Sequence, residues 1–230
     1  GRPEVLKVLQ SQDMLPAITF IFSRAGCDGA LYQCLRSRMV LTSQEEAQQI
    51  KEIVDAGVEG IPEEDLQVLD FKRWREALSR GFAAHHAGML PAFRHIVEDL
   101  FVRGLVRAVF ATETLALGIN MPARTVVLEK LIKFNGEAHV DLTPGQYTQL
   151  TGRAGRRGID TLGNAVVQWA PAMDPRQVAG LASTRTYPLI STFAPGYNMA
   201  INLLGMLGFE DSLRLLEKSF AQFQADGSVV

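Results

Sequence analysis

The sequence contains few of the features that would assign it to a secreted, membrane or metal-binding class. Its 230 residues include two cysteines, Cys27 and Cys34, and no CxxC or HxxxH pair, whereas a structural zinc site takes four ligands. No apolar run approaches the roughly 18 residues of a membrane helix, and no signal peptide opens the chain. The sequence therefore predicts a cytoplasmic protein with reduced thiols, no metal site and no membrane partner.

Two nucleotide-binding signatures are also missing. The phosphate-cradling pattern GxxxxGK[ST] needs a Gly-Lys dipeptide, and neither that dipeptide nor an Asp-Glu dipeptide occurs. The net charge of −2 and a pI near 6.1 do not indicate a dedicated nucleic-acid module, which would be basic. The chain starts Gly1-Arg2-Pro3 without a methionine, as a piece of a longer protein would.

The apolar residues that are present indicate an α/β fold. Four runs are mostly continuous rather than alternating, as in strands covered on both faces; they are Ala17–Phe22, Val106–Ala111, Thr125–Leu128 and Asn164–Trp169. Capping and proline signals between them predict helices over residues 43–55, 62–80, 91–103 and 143–153. Strands alternating with helices favour a parallel sheet covered by helices on both faces.

The composition changes after Leu181, which divides the chain into residues 1–182 and 183–230. Two amphipathic helices are predicted in the second part, Tyr197–Leu207 and Ser212–Phe223. About 45 residues with two helices rarely form a core unaided. We therefore expect the second part to be the beginning of a further domain.

The segment QLTGRAGRRG, from Gln149 to Gly158, concentrates arginine and glycine at the end of a predicted helix. Arg153 and Arg156 face the same way if the turn stays helical, and two guanidiniums so placed can clamp a phosphate. The spacing is GxxGxxG, so this is not a dinucleotide-binding fingerprint. The alternative for this segment on its own is a solvated basic turn.

Three further segments decide between those interpretations. They are FIFSR (20–24), HHAGMLP (85–91) and FATETLALGINMP (110–122). Together with QLTGRAGRRG, and in this order, they resemble motifs IV, IVa, V and VI of superfamily 2 helicases, and more narrowly the superkiller-type DExH RNA helicases. Residues 191–204 and 216–224 resemble the opening of the winged-helix domain in that family, most closely in its actinobacterial HelY-type members.

The resemblance implies a second RecA-like domain, followed by the helical start of a winged-helix domain. ATP with Mg²⁺ would lie between this domain and a first RecA-like domain, which would hold most of the nucleotide and carry the two missing signatures. RNA would cross the top of both domains. By the same resemblance Arg153 and Arg156 are arginine fingers and Gln149 acts toward the phosphates or the attacking water, while Gly118, Asn120 and Gly152 lie at the nucleotide.

The resemblance also implies a nucleic-acid surface, whose residues are Ser23, Arg24, His85, His86, Gly88, Thr112 and Glu113. Simpler roles stay open for three of these positions and for Asn120. Thr112 could be a strand-end turn residue, at least one of the two histidines could be buried and hydrogen-bonded, and Asn120 could stabilise its own turn.

The sequence thus predicts the second motor domain of an ATP-dependent RNA helicase that is inactive without its first domain. Two alternatives remain. Contacts to a nucleic-acid backbone do not distinguish RNA from DNA, so a repair-type DNA helicase fits the same motifs. The missing GxxxxGK[ST] also fits a non-catalytic nucleic-acid-binding module with this fold.

Overall fold

The computed structural model describes residues 1–116, 121–134, 136–171, 173–184, 191 and 193–227. The chain divides into two compact units, Gly1–Thr184 and Arg185–Val230. The first unit is built around one five-stranded parallel sheet, whose strands are β1 (Ala17–Phe20), β2 (Phe82–His85), β3 (Ala108–Ala111), β4 (Thr125–Leu128) and β7 (Asn164–Val167). Their order across the sheet is β2-β3-β1-β4-β7. The predicted parallel α/β sheet is confirmed.

Helices cover this sheet. In chain order they are α1 (Arg2–Ser11), α2 (Arg24–Arg36), α3 (Gln44–Gly57), α4 (Glu63–Val68), α5 (Phe71–Ser79), α6 (Pro91–Val102), a 3₁₀ helix (Glu113–Ala116), α7 (Pro144–Thr151) and α8 (Pro175–Ser183). Capping boxes begin α3 at Ser43 and α7 at Thr143. The prediction of one helix over 62–80 was wrong, because Asp70 takes the left-handed conformation with φ of 52° and separates α4 from α5.

Side chains of the sheet alternate between two hydrophobic layers. In β1, Ile18 and Phe20 pack into a layer with α3, α5 and α6, whereas Ala17 packs into a second layer with α1 and α2. Cys27 and Cys34 lie buried in that second layer, and burial raises the pKa of each thiol to about 12. Both thiols therefore stay protonated at neutral pH and act as apolar packing groups.

The first unit also contains a small antiparallel hairpin, β5 (Ile132–Phe134) with β6 (His139–Asp141). The second unit contains α9 (Tyr197–Glu217) and α10 (Phe220–Gly227). Gly208 interrupts α9 with φ of 75° and ψ of 177°, at the position where the sequence predicts a helix end. None of the helices in the described ranges combines the length and the apolar character needed to cross a membrane.

Candidate functional site

The parallel strands bring most of the predicted nucleic-acid residues to one edge of the sheet. We call the edge where the strands end the carboxyl edge and the opposite one the amino edge. Each of three strands is followed by predicted residues. Ser23 and Arg24 come after β1, His86 and Gly88 come after β2, and Thr112 and Glu113 come after β3. Because β2, β3 and β1 are neighbours in the sheet, three separate motifs meet at the carboxyl edge, where α/β sheets commonly bind ligands.

The loop after β1 leads directly into α2. Ser23 is the N-cap of α2, and its hydroxyl accepts a hydrogen bond from the Gly26 N–H at 3.1 Å. Arg24 is exposed in the first turn. A Cβ added to Gly88 would lie 3.3 Å from Arg24 Cδ, so the loop after β2 runs against the start of α2.

His86 holds that loop in place from inside the protein. Its imidazole is 6% exposed, with Nε2 3.0 Å from Asp28 Oδ1 and Nδ1 accepting the Gly88 N–H at 3.2 Å. Since Nδ1 accepts, Nε2 carries the proton and donates to Asp28. The side chain therefore ties the loop after β2 to α2.

His85 is buried more deeply, at 2% exposure, and its Nε2 donates to Glu98 Oε1 over 2.8 Å. Burial lowers the pKa of this imidazole, against the opposing effect of Glu98. Both histidines thus follow the simpler alternative, buried and hydrogen-bonded. Their contact with nucleic acid stays a prediction, and the structure gives them internal partners in α2 and α6.

The loop after β3 is linked to the hairpin. Thr112 Oγ1 lies 2.9 Å from Thr114 Oγ1, and Lys133 of β5 donates to Glu113 Oε2 at 2.7 Å. Glu113 therefore anchors the hairpin beside the carboxyl edge, while Thr112 keeps a partly exposed hydroxyl at the strand end.

The arginine segment lies at the other edge. Helix α7 ends at Thr151, and a parallel bridge then joins Ala154 to Ala123. The Ala123 N–H donates to the Arg153 carbonyl at 2.9 Å, and the Gly155 N–H donates back to the Ala123 carbonyl at 2.7 Å. Because Ala123 lies just before β4, this bridge fastens the segment beside the amino edge.

Backbone packing in this segment depends on glycine. Gly155 has φ of 89°, so the turn does not stay helical and the condition for Arg153 and Arg156 to share a helical face is not met. A Cβ on Gly163, just before β7, would lie 2.6 Å from the Ala154 carbonyl carbon. The two segments therefore approach more closely than any side chain at that position would allow.

Arg156 is held by a carboxylate that the sequence reasoning missed. Its Nε and Nη2 donate to the two oxygens of Asp160, each at 2.8 Å, and its backbone N–H donates to Oδ2 at 2.9 Å. The Asp160 side chain is 1% exposed and also accepts Arg124 Nε at 2.9 Å. The Arg156 guanidinium keeps the pKa of the Asp160 carboxyl well below its ordinary range. Helical spacing could not have found this pair, because Gly155 and Gly158 both have positive φ and the segment between Arg156 and Asp160 is not a helix.

The remaining predicted residues fall at several places. Gln149 is exposed and Arg153 is half-buried; Arg157, for which no role is predicted, is exposed. A Cβ added to Gly152 would lie 2.8 Å from the Thr148 carbonyl oxygen, so this position at the end of α7 has no room for a side chain unless the backbone moves. Gly118 and Asn120 lie outside the described residues. Since Thr112 lies at the carboxyl edge and Ala123 at the amino edge, the connection from β3 to β4 joins the two groups of site residues.

Comparison with known proteins identifies the family. Residues 30–158 match the helicase conserved C-terminal domain. The whole chain is 66% identical over 230 residues to the probable helicase HelY of Mycobacterium tuberculosis and covers 25% of that protein. Over 226 residues, 98% of the chain, it is 35% identical to the DExH-box ATP-dependent RNA helicase DExH9 of Arabidopsis thaliana, of which it covers 23%. It is also 35% identical over 221 residues, 96% of the chain, to the human exosome RNA helicase MTR4, covering 21% of that protein.

The chain thus spans a quarter or less of the length of these curated relatives. The family match covers more than half of the chain and includes the sheet strands β2, β3 and β4 together with the arginine segment. The similarity to DExH-box RNA helicases agrees with the motifs that the sequence carries. The chain belongs to the helicase conserved C-terminal domain family, with the RecA-like α/β fold that its sequence predicts.

Proposed function

We propose that this chain is the second motor domain of an ATP-dependent RNA helicase, which couples ATP hydrolysis to movement along RNA or to its unwinding. The observation that carries the proposal is Arg156 at the amino edge. Its guanidinium is oriented by a buried carboxylate, and it belongs to the segment that resembles motif VI. An oriented guanidinium is suited to charge that develops on a phosphoryl group in a transition state.

In this proposal the nucleotide is ATP with Mg²⁺, held mainly by a first RecA-like domain that carries GxxxxGK[ST]. The second domain contributes Arg153 and Arg156 toward the γ-phosphate, with Gln149 beside them. The bridge between Ala154 and Ala123 keeps this segment at a fixed distance from the sheet. Gly118, Asn120 and Gly152 complete the nucleotide side by resemblance.

The carboxyl edge provides the proposed nucleic-acid surface. Ser23, Arg24 and Thr112 present polar groups at neighbouring strand ends, and the Gly88 loop exposes its backbone there. Groups of these kinds bind phosphate oxygens and read no base. The preference for RNA over DNA therefore comes from the names of the relatives and from the motifs, and a repair-type DNA helicase is the runner-up.

Two further features belong to the proposal. Residues 183–230 would begin a winged-helix domain, and the protein would work in the cytoplasm. Among its described residues the second unit contains α9 and α10, and residues 191–204 and 216–224 carry the resemblance to the opening of that domain.

The test is reconstitution. The chain alone is expected to show no ATP hydrolysis above background, with or without RNA, because the P-loop lysine and the metal-binding carboxylates are absent. Joined to a first RecA-like domain in its natural longer protein, it is expected to hydrolyse ATP with stimulation by single-stranded RNA. Stimulation by DNA alone would favour the runner-up. A longer protein without ATP turnover would support the non-catalytic module.

A further inference from the structure

We propose that Asp160 is a positioning residue for ATP turnover, which fixes the Arg156 guanidinium in the orientation that meets the phosphate. This inference rests on the proposed function, since it presumes that Arg156 acts on the nucleotide. It assigns a role to a residue outside the arginine and glycine pattern from which the site was predicted.

The pattern of donors supports this role. A guanidinium carries five N–H donors in a planar fork. Asp160 occupies the edge formed by Nε and Nη2, which leaves the two Nη1 hydrogens and the second Nη2 hydrogen pointing away from the carboxylate. Asp160 thus holds Arg156 by one edge and turns the other edge outward.

The same carboxylate fixes the main chain of Arg156. Asp160 Oδ2 accepts the Arg156 backbone N–H at 2.9 Å, and the Asp160 backbone N–H donates to the Arg156 carbonyl at 2.9 Å. Gly158, with φ of 76°, lets the chain turn between them. Backbone and side chain of Arg156 are therefore oriented together, which reduces the conformational freedom that binding a phosphate would otherwise have to remove.

The charges of the cluster leave Arg156 able to attract an anion. Asp160 is shared between Arg156 and Arg124, which bind opposite oxygen atoms through their Nε atoms. One buried carboxylate faces two guanidiniums, so this part of the cluster carries a net positive charge. Asp13, the other acid on Arg124, is 95% exposed, and water screens its contribution.

Arg124 supplies the matched control. It contacts Asp160 and Asp13 at the beginning of β4, and the described hydrogen bonds of its side chain do not include Arg156. Arg124→Gln should therefore weaken the fold at the amino edge while leaving the Arg156 fork in place. It separates the structural contribution of the network from the orientation of Arg156.

The experiment compares four variants of the longer, RNA-stimulated protein: Asp160→Asn, Arg124→Gln, Arg156→Ala and the double variant Arg156→Ala with Asp160→Asn. An asparagine at 160 would present an amide group to one guanidinium nitrogen and break the bidentate fork. Because a misplaced catalytic group costs about 10²-fold, we expect Asp160→Asn to lower kcat by about 10- to 100-fold. The KM for ATP and the affinity for RNA should change less than about threefold, because the interaction is made mainly in the transition state.

Two measurements distinguish a role of Asp160 in positioning Arg156 from a role in the stability of the fold alone. Arg124→Gln should lower the thermal midpoint, yet reduce kcat by less than about threefold. The double variant should be no slower than Arg156→Ala alone, since Asp160 acts only through Arg156. Equal loss of turnover in Arg124→Gln and Asp160→Asn, or multiplying losses in the double variant, would overturn the inference.

Two other outcomes are also decisive. Faster turnover in Asp160→Asn would show that the carboxylate restrains Arg156 and competes with the phosphate, which contradicts a positioning role. If Arg156→Ala keeps full turnover, the proposed function of Arg156 has failed instead. If Arg156→Ala is inactive and Asp160→Asn is unchanged, only the inference about Asp160 has failed.

Discussion

The two edges of the sheet organise their polar groups in different ways. At the carboxyl edge three of the groups have separate partners: Ser23 caps the first turn of α2, His86 binds the carboxylate of Asp28, and Thr112 contacts the hydroxyl of Thr114. At the amino edge the groups share one partner, because both Arg156 and Arg124 bind Asp160. Substitutions at the carboxyl edge should therefore act singly, whereas those at the amino edge should be coupled.

Burial also distinguishes Ser23 and Arg24 from Asp160. Ser23 and Arg24 are exposed, so water can replace any partner that they lose. The Asp160 side chain is 1% exposed, and an unpaired charge there would bear the cost of desolvation. The comparison predicts that substitutions of the exposed Ser23 and Arg24 change RNA affinity, while those of Arg156 and Asp160 change turnover.

The largest effect is expected for Arg156. In the longer protein, Arg156→Ala should lower RNA-stimulated turnover by about 10³-fold, roughly 4 kcal/mol, at the lower end for arginine fingers because Arg153 remains. RNA affinity should hardly change, since the guanidinium meets charge that develops in the transition state. Turnover at saturating ATP, with RNA affinity in parallel, measures both.

Arg156→Lys and Arg157→Ala are the controls for that variant. A lysine cannot reproduce the planar fork on Asp160, so it should restore little. Arg157 is exposed, and its loss changes the local charge equally, with an expected effect under about tenfold. If Arg157→Ala is the slower protein, the register assigned to the motif is wrong; if Arg156→Ala loses RNA affinity instead, the segment binds nucleic acid.

The next effect concerns the close backbone packing at the amino edge. An alanine at Gly163 would bring its Cβ to 2.6 Å from the Ala154 carbonyl oxygen and from the Gly155 nitrogen, so the arginine segment has to move. Forced overpacking of this kind costs about 1–3 kcal/mol. We expect Gly163→Ala to lower the free energy of unfolding of the chain by that amount, measured by urea denaturation.

Gly29→Ala provides the comparison within a helix. Gly29 lies in α2, and nothing is within 4 Å of the Cβ it would gain. Alanine there should stabilise by about 0.5–1 kcal/mol, because it lowers the entropy of the unfolded chain. Equal stability of Gly163→Ala and the parent protein would show that the arginine segment is not packed against residue 163 in solution.

Continuous apolar runs and capping signals were enough to predict much of the fold. Four of the five sheet strands, the capping box of α3 and the N-cap of α7 at Thr143 were predicted, because burial on two faces and N-caps leave local signals. Strand β2, whose sequence is Phe-Ala-Ala-His, has little intrinsic strand preference. Its position at the edge of the sheet beside β3 comes from tertiary packing, which no local window of sequence contains.

The motifs name the candidate site residues, whose roles stay predictions, and the parallel topology places Ser23, His86 and Thr112 at one edge of the sheet. The shared carboxylate could not be predicted, because Arg124 and Asp160 are 36 residues apart and meet only when β4 and β7 pair. Long-range ion pairs follow from the fold and not from local spacing.

A smaller effect is expected at the carboxyl edge, where Arg24 should act on affinity alone. In the longer protein, Arg24→Ala should weaken single-stranded RNA binding by about tenfold, the value of one hydrogen bond to a charged group. It should reduce the slope of log affinity against log salt by about 0.7, and leave kcat at saturating RNA unchanged. Arg38→Ala removes the same charge beyond the other end of α2, and should change neither quantity. Equal effects of both variants would mean that overall charge, rather than this edge, binds RNA.

The smallest effect concerns the pH dependence of stability at His85, which is buried near Glu98, Arg94 and His86. Burial lowers the pKa of His85 in the folded chain, so below about pH 6.5, the ordinary value for histidine, the unfolded chain binds the additional proton. The contribution of His85 to stability is therefore complete above that pH and falls as the solution is acidified toward its folded pKa.

Urea denaturation at pH 7.5 and 5.5 should show a loss of stability in the parent chain that is smaller in His85→Gln. His95→Gln is the control, because that imidazole is 80% exposed and also faces Glu98. A parent chain that gains stability at pH 5.5 through His85 would show that the ion pair with Glu98 outweighs burial.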